Sequence, residues 1–210
     1  MIFWIAAIAG ASYSLAGWMG LHGPPVIAWK GSGVALLALW ASRSLAGADA
    51  RHFTGVLGLA AIGDVLLDAV GLVAGGAAFF AAHALAIAFY HRHRARPAPL
   101  AGVVAGATAG AALAWLFAHD AGAAIYSLAV CAMAIMASHS RFPARVTLGA
   151  GLFVLSDFLI FARMGPLADH VLPWLLIWPL YFAGQALIAH GVVTSLRDVR
   201  RGGAPSGEHG

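Results

Sequence analysis

The chain has 210 residues, 61% hydrophobic and 10% charged, with a formal net charge of +4 and a mean hydropathy of +0.85. Apolar runs of about 18 to 22 residues recur from end to end, each long enough to cross a hydrocarbon core of roughly 30 Å. The expected class is therefore all-α, a polytopic transmembrane helical bundle of about eight spans. That leaves no length for a soluble catalytic domain. Because the arginines gather between the runs, the positive charge reads as a topology signal and not as a nucleic-acid surface.

The first run, 2–20, has no lysine or arginine ahead of it and so reads as a retained span, not as a signal peptide. Pro24 and Pro25 open the second, 25–45, with Lys30 one or two turns inside. The third, 53–74, holds Asp64 near its middle and Asp68 one turn further on the same face. Gly75 and Gly76 are expected to separate it from the fourth, 77–91, which carries His83. Pro97 and Pro99 precede the fifth, 98–117; the sixth, 121–138, contains Cys131, which as the single cysteine forms no internal disulfide. The seventh, 145–162, carries Ser156 and Asp157. The eighth, 172–195, places Tyr181 and Gln185 four apart on one face, with Pro179 predicting a kink or a frayed first turn. Residues 1–199 are expected to form one transmembrane domain, and 200–210, rich in glycine and polar side chains, a disordered cytoplasmic tail.

Loop charge sets an orientation. Arg43 and Arg51, then Arg92, Arg94 and Arg96, then Arg141 and Arg145, and finally Arg197, Arg200 and Arg201 all fall after even-numbered spans. The other loops hold only Arg163, accompanied by Asp169. The positive-inside rule then predicts both termini in the cytoplasm. On that topology Lys30, Asp64, Asp68, His83, Asp157, Tyr181 and Gln185 share the middle to outer half of the bundle, and one polar cavity facing the non-cytoplasmic leaflet is expected. Trp4, Trp18, Trp29, Trp115, Trp174 and Trp178 fall near span ends and read as interface belts.

An ionisable residue inside a span is a functional-site hypothesis by default. The competing readings are plain ones. Asp64 and Asp68 can serve helix packing through hydrogen bonds, Lys30 can snorkel to the headgroups instead of pairing with an acid, and His83, Tyr181 and Gln185 can be inter-helix contacts. A catalytic zinc takes three protein ligands, and His83 alone stands at the depth of the acids, so no metal is expected. No GxSxG elbow occurs, and Ser156 has no base beside it on its own face. Ala61-Ile62-Gly63-Asp64 matches the GxGD pattern of intramembrane aspartyl proteases only in part.

Several segments in order resemble a known family. Gly63-Asp64 with Val65-Leu66-Leu67, then Phe79-Phe80 and His83, then Gly151-Leu152-Phe153-Val154-Leu155-Ser156-Asp157, and Tyr181-Phe182-Ala183-Gly184-Gln185-Ala186-Leu187-Ile188, are similar to the successive motifs of the YhhN-like lysoplasmalogenase family. The resemblance runs from Lys30 to about Ile188. It implies an integral membrane hydrolase of about eight spans that cleaves the vinyl ether bond of lysoplasmenyl-phosphocholine or -ethanolamine, releasing a fatty aldehyde and a glycerophospho-base. Asp64 and Asp157 carry the family motifs and are the implied catalytic pair; Lys30, Asp68, His83, Ser156, Tyr181 and Gln185 are implied in substrate binding or support.

Vinyl ether hydrolysis suits two acids. The β-carbon is protonated in the slow step, water captures the resulting oxocarbenium ion, and the hemiacetal breaks down. The logic parallels glycoside hydrolysis, in which one carboxyl group delivers a proton while another stabilises the cation or activates water. No metal or organic cofactor is required. The expected partners are a single-chain lysophospholipid entering from the lipid bilayer, and no nucleic acid. The alternative is a proton-coupled small-molecule or lipid transporter built on the same acids, a reading that the recurrence of Gly63-Asp64 and Ser156-Asp157 four spans apart supports. The expected location is a bacterial inner membrane.

Overall fold

The computed structural model describes residues 1–202, with side chains through Val199. Among these residues it is all-helical: α1 (Ile2–Trp18), α2 (Pro24–Ser44), α3 (Gly47–Ala69), α4 (Leu72–Arg92), α5 (Leu100–Ala118), α6 (Ala121–Ser138), α7 (Ala144–Arg163) and α8 (Val171–Gly202). Seven helices are long and apolar enough to cross a membrane. The remaining one, α1, is apolar but has 17 residues and spans only about 25 Å at 1.5 Å per residue. The chain reads as an integral membrane protein.

Helix ends follow local chemistry. Gly23, at φ 109°, precedes Pro24 and Pro25, whose fixed φ and missing N–H suit a first turn. The break between α3 and α4 lies at Val70–Gly71, with Gly71 at φ 130°, and not at Gly75-Gly76 as expected. Those two glycines belong to α4. Gly75 lies so close to α3 that a Cβ there would fall inside contact distance of Leu67, so its smallness serves packing and not chain reversal. The start of α3 also precedes the apolar run, at Gly47, because its polar first turns extend beyond the hydrophobic core. The Asp120 side chain caps α6, accepting a hydrogen bond from Ala123 N at 2.7 Å. Helix α8 continues through Pro179 and past residue 195 to Gly202. Of the expected tail, residues 203–210 lie outside the described residues.

The helices form a closed ring, α2–α3–α4–α6–α7–α8 and back to α2, with α1 laid over α8 and α2 and α5 over α6 and α7. The arrangement repeats after four helices: α2 on α8 is matched by α6 on α4, and the pair α3 and α4 by α7 and α8. The sequence repeats with it. Ala38-Leu39-Trp40-Ala41-Ser42 of α2 lines up with Ala134-Ile135-Met136-Ala137-Ser138 of α6, which sets Lys30 against Tyr126. Thr54, Gly58-Leu59 and Asp64 of α3 line up with Thr147, Gly151-Leu152 and Asp157 of α7. Phe80-Ala81-Ala82-His83-Ala84-Leu85 of α4 lines up with Phe182-Ala183-Gly184-Gln185-Ala186-Leu187 of α8. Four helices per half gives the two halves the same orientation across a bilayer, a parallel repeat about an axis along its normal.

Loops after α4 and α6 meet at one end. Ala95 N donates to His139 O at 2.9 Å and Arg141 N to His93 O at 2.8 Å. The start of α3 joins them, since His93 Nε2 and Arg92 Nη2 lie 3.1 and 3.6 Å from Asp49 Oδ1. Arg145 on α7 donates to His190 Nδ1 of α8 at 3.1 Å, so the arginine-bearing segments share this end.

Candidate active site

Toward the opposite end, each of the three aspartates singled out from the sequence meets a tyrosine. Three of the four tyrosines in the chain donate to them: Tyr181 to Asp64 Oδ2 at 2.8 Å, Tyr126 to Asp157 Oδ2 at 2.9 Å and Tyr13 to Asp68 Oδ2 at a long 3.5 Å. Hydroxyl donors are what buried carboxyl groups require.

Asp64 is 1% exposed on α3, and its partner Tyr181 stands on α8. Gln185, one turn along α8, points its Nε2 at the Tyr181 hydroxyl at 3.5 Å. Asp68 faces outward and pairs with Lys30 at 2.7 Å, which settles the lysine as a counter-ion. Lys30 Nζ also lies 6.0 Å from the Trp178 ring centroid. Helix α1 closes over this group: Trp178 Nε1 donates to Gly10 O at 2.7 Å, Trp29 Nε1 to Ala9 O at 3.1 Å, and Tyr13 packs edge-on against Trp178. Trp29 and Trp178 are therefore packing residues here and not members of an interface belt. Both indoles turn inward because backbone carbonyls of α1 satisfy their N–H groups.

Asp157, 5% exposed on α7, belongs to a second cluster. Tyr126 of α6 bridges it to His83 of α4, whose Nε2 lies 2.9 Å from the tyrosine hydroxyl. Since that hydroxyl gives its one proton to Asp157, His83 Nε2 carries hydrogen toward the tyrosine oxygen. Ser156 is not in this chain; its hydroxyl donates to Ile177 O at 2.8 Å, two residues before Pro179, and ties α7 to α8.

The single polar cavity expected from the sequence is thus divided. Phe79 and Phe153 stand between the clusters: Phe153 packs edge-on against both His83 and Tyr181 at 5.0 Å, and Phe79 against Phe153 and Tyr181. On the Asp157 side a cavity of about 420 Å³ opens between α4, α6 and α7. Its walls are apolar, with Val73, Phe80, Ile125 and Phe161 among them, and Asp120, Tyr126 and Asp157 supply its polar atoms. Lys30, Asp64, Asp68, His83, Tyr181 and Gln185 do not line it.

The repeat explains why one half is open and the other closed. Gly76 lines the cavity, and its counterpart in the repeat is Trp178, whose indole packs against Tyr181, the partner of Asp64. Phe161 replaces Asp68, so the second half has no acid for a lysine to pair with, and Tyr126 stands where Lys30 would be. Phe79 replaces Tyr181 and brings no hydroxyl, which leaves Asp157 to Tyr126. Sequence reasoning passed over Tyr126 and Tyr13. The register of α6 on α2 is the signal that finds Tyr126, because it puts that residue opposite an intramembrane lysine.

Residues 26–192 match the model of the YhhN family. The chain belongs to the YhhN family. No curated protein and no solved structure matches it. The matched stretch of the YhhN chain holds both clusters except for Tyr13 and none of α1, so the helix that closes over Lys30, Asp68 and Trp178 lies wholly outside it. Among the described residues no three histidine, cysteine, aspartate or glutamate side chains gather as a metal ion would need.

Proposed function

We propose that this YhhN chain is a membrane hydrolase of the lysoplasmalogenase type, cleaving the vinyl ether bond of a single-chain lysophospholipid. The observation that carries the reading is Asp157 facing an apolar cavity of about 420 Å³, a volume in the range of small-molecule sites and suited to one alkenyl chain. Asp157 Oδ2 is held by Tyr126, and no hydrogen bond among the described residues reaches Oδ1, the oxygen left for substrate.

In this scheme Asp157 delivers a proton to the β-carbon of the vinyl ether, and the electron pair of the ether oxygen forms the oxocarbenium ion. Water adds to the α-carbon, and the hemiacetal collapses to aldehyde and glycerophospho-base. Asp64 is the second carboxyl group, held behind Phe79 by Tyr181, where it stabilises the cation without touching the lipid. Asp120 at the cavity wall and the cap of α6 lies on the headgroup side. The arginine-bearing end faces the cytoplasm of a bacterial inner membrane, and lipid enters from the outer leaflet.

The assay is aldehyde release from lysoplasmenyl lipid by purified protein in detergent, with Asp157→Asn as the inactive control. The duplicated halves favour a second reading, a proton-coupled carrier, since many carriers are built from repeats. Protein that is inert toward vinyl ether and ester lysolipids but moves protons or lysolipid in liposomes is that carrier.

A further inference from the structure

Behind Phe79, on the side away from the lipid cavity, lies a second and much smaller space of about 20 Å³, enough for one water, which needs about 10–15 Å³. Phe79 lines both spaces, so its ring is the wall they share. The small one sits where the two halves of the chain meet. His83 and its counterpart Gln185 line it, as do Ala60 with its counterpart Phe153 and Ala86 with its counterpart Ile188.

The wall of this space is mostly apolar, but three polar residues are among those that line it. His83, Gln185 and Tyr90 are 3%, 4% and 2% exposed. Among the described residues no hydrogen bond engages His83 Nδ1, Gln185 Oε1 or the Tyr90 hydroxyl. The fully buried side-chain atom without a partner among the described residues is Thr54 Oγ1, so these three atoms border open space, where ordered water is the usual partner. The direction of the Tyr126 hydrogen bond adds a chemical point: with Nε2 carrying the hydrogen, Nδ1 of His83 has a free lone pair.

We infer that this space is the site of the hydrolytic water, held by His83, Gln185 and Tyr90 behind Phe79 and activated by His83. The inference rests on the hydrolase reading above. When the Phe79 ring turns aside, the water oxygen bonds to the α-carbon of the oxocarbenium ion. Its proton goes to His83 Nδ1, the Nε2 proton passes to the Tyr126 oxygen, and the Tyr126 proton passes to Asp157 Oδ2; rotation of the carboxyl group carries that proton to the lipid side, and proton exchange through the incoming water returns His83 to its Nε2–H tautomer before the next turnover. The carboxylate that gave its proton to the β-carbon is thereby a carboxylic acid again, one water has been consumed, and no proton is gained or lost. The relay gives His83 and Tyr126 one purpose, the return of the proton to the acid that lines the lipid cavity.

Two variants test this away from the lipid cavity. Ala86→Val fills the small space, and Gln185→Leu removes one holder of the water without filling it; neither residue lines the larger cavity. In a diffraction or cryo-electron-microscopy map that resolves ordered solvent, wild-type protein shows one water within about 3 Å of His83 Nδ1 and Gln185 Oε1, and Ala86→Val shows none. Turnover of lysoplasmenyl lipid falls about 100-fold in both variants, the size of a lost general base, with KM unchanged. Wild-type protein inert toward vinyl ethers overturns the hydrolase reading and with it the role given to this water. Active wild-type protein without the water, or variants that both keep their kcat, overturns the water site alone. Should Ala86→Val fail to fold, the wild-type map and Gln185→Leu decide.

Discussion

Asp64 and Asp157 occupy equivalent places in the two halves, yet their neighbours give them different work. Asp157 lines the open cavity beside Tyr126, and Asp64 is shut in by Tyr181 and the Phe79 ring. Asp157→Asn should abolish turnover, since an amide cannot deliver the proton. If the proposed hydrolase is right, Asp64→Asn should lower kcat and leave KM unchanged, because the side chain does not line the 420 Å³ cavity; a raised KM in steady-state kinetics contradicts that placement. Tyr126→Phe strips both Asp157 and His83 of their shared partner, so thermal unfolding should register a loss of about 1–3 kcal/mol together with slowed turnover. Lys30 and Asp68 are predicted to matter less. Asp68 is 36% exposed, and removing such a half-wet ion pair with Asp68→Asn should change stability by no more than about 1 kcal/mol and leave kcat near wild type.

At the scale of elements, glycine decides which half is open. A Cβ on Gly76 meets nothing within 4 Å and the residue lines the 420 Å³ cavity, so the indole of Gly76→Trp should enter that cavity, and the aldehyde release expected of the proposed hydrolase should be lost while the protein still folds. Gly63 is the opposite case. A Cβ there would lie 2.7 Å from the Phe79 ring, so Gly63→Ala should cost about 1–3 kcal/mol as overpacking and displace the wall between the two spaces. The end of α4 carries a pH-sensitive contact in His93, which burial pushes below its ordinary value of 6.5 against the pull of Asp49. A lowered histidine value means that the unfolded chain takes up protons first. Stability should therefore fall as pH drops below about 6.5 and level off once folded His93 is itself protonated, and His93→Gln should flatten that part of a melting-temperature profile. The eight helices were legible as hydropathy runs, and Pro24, Pro25 and Gly71 mark their ends by fixed φ or positive φ. The α3–α4 break was misplaced because Gly75 and Gly76 look like a turn in sequence, whereas their smallness is used sideways, for helix contact.

For the whole molecule, the sequence located the acids on their helices but not their division into two clusters. Hydropathy and loop charge order residues along the bilayer normal. They carry no information on which helices are neighbours around the ring, and that is what sets Tyr126 between His83 and Asp157 and leaves Ser156 tied to Ile177. The internal repeat does hold that information, since it relates α3 and α4 to α7 and α8 and sets Trp178 in one half where Gly76 lines the cavity in the other. One acid on an open cavity, with a second behind an aromatic wall, is the arrangement that results. The hydrolase proposed for it is tested by incubating purified wild-type and Asp157→Asn protein with lysoplasmenyl-phosphoethanolamine in detergent and quantifying the free aldehyde. Wild-type protein should release aldehyde and a folded Asp157→Asn variant none; wild-type protein that releases none, or a variant that releases as much, would rule out Asp157 as the acid of such a hydrolase.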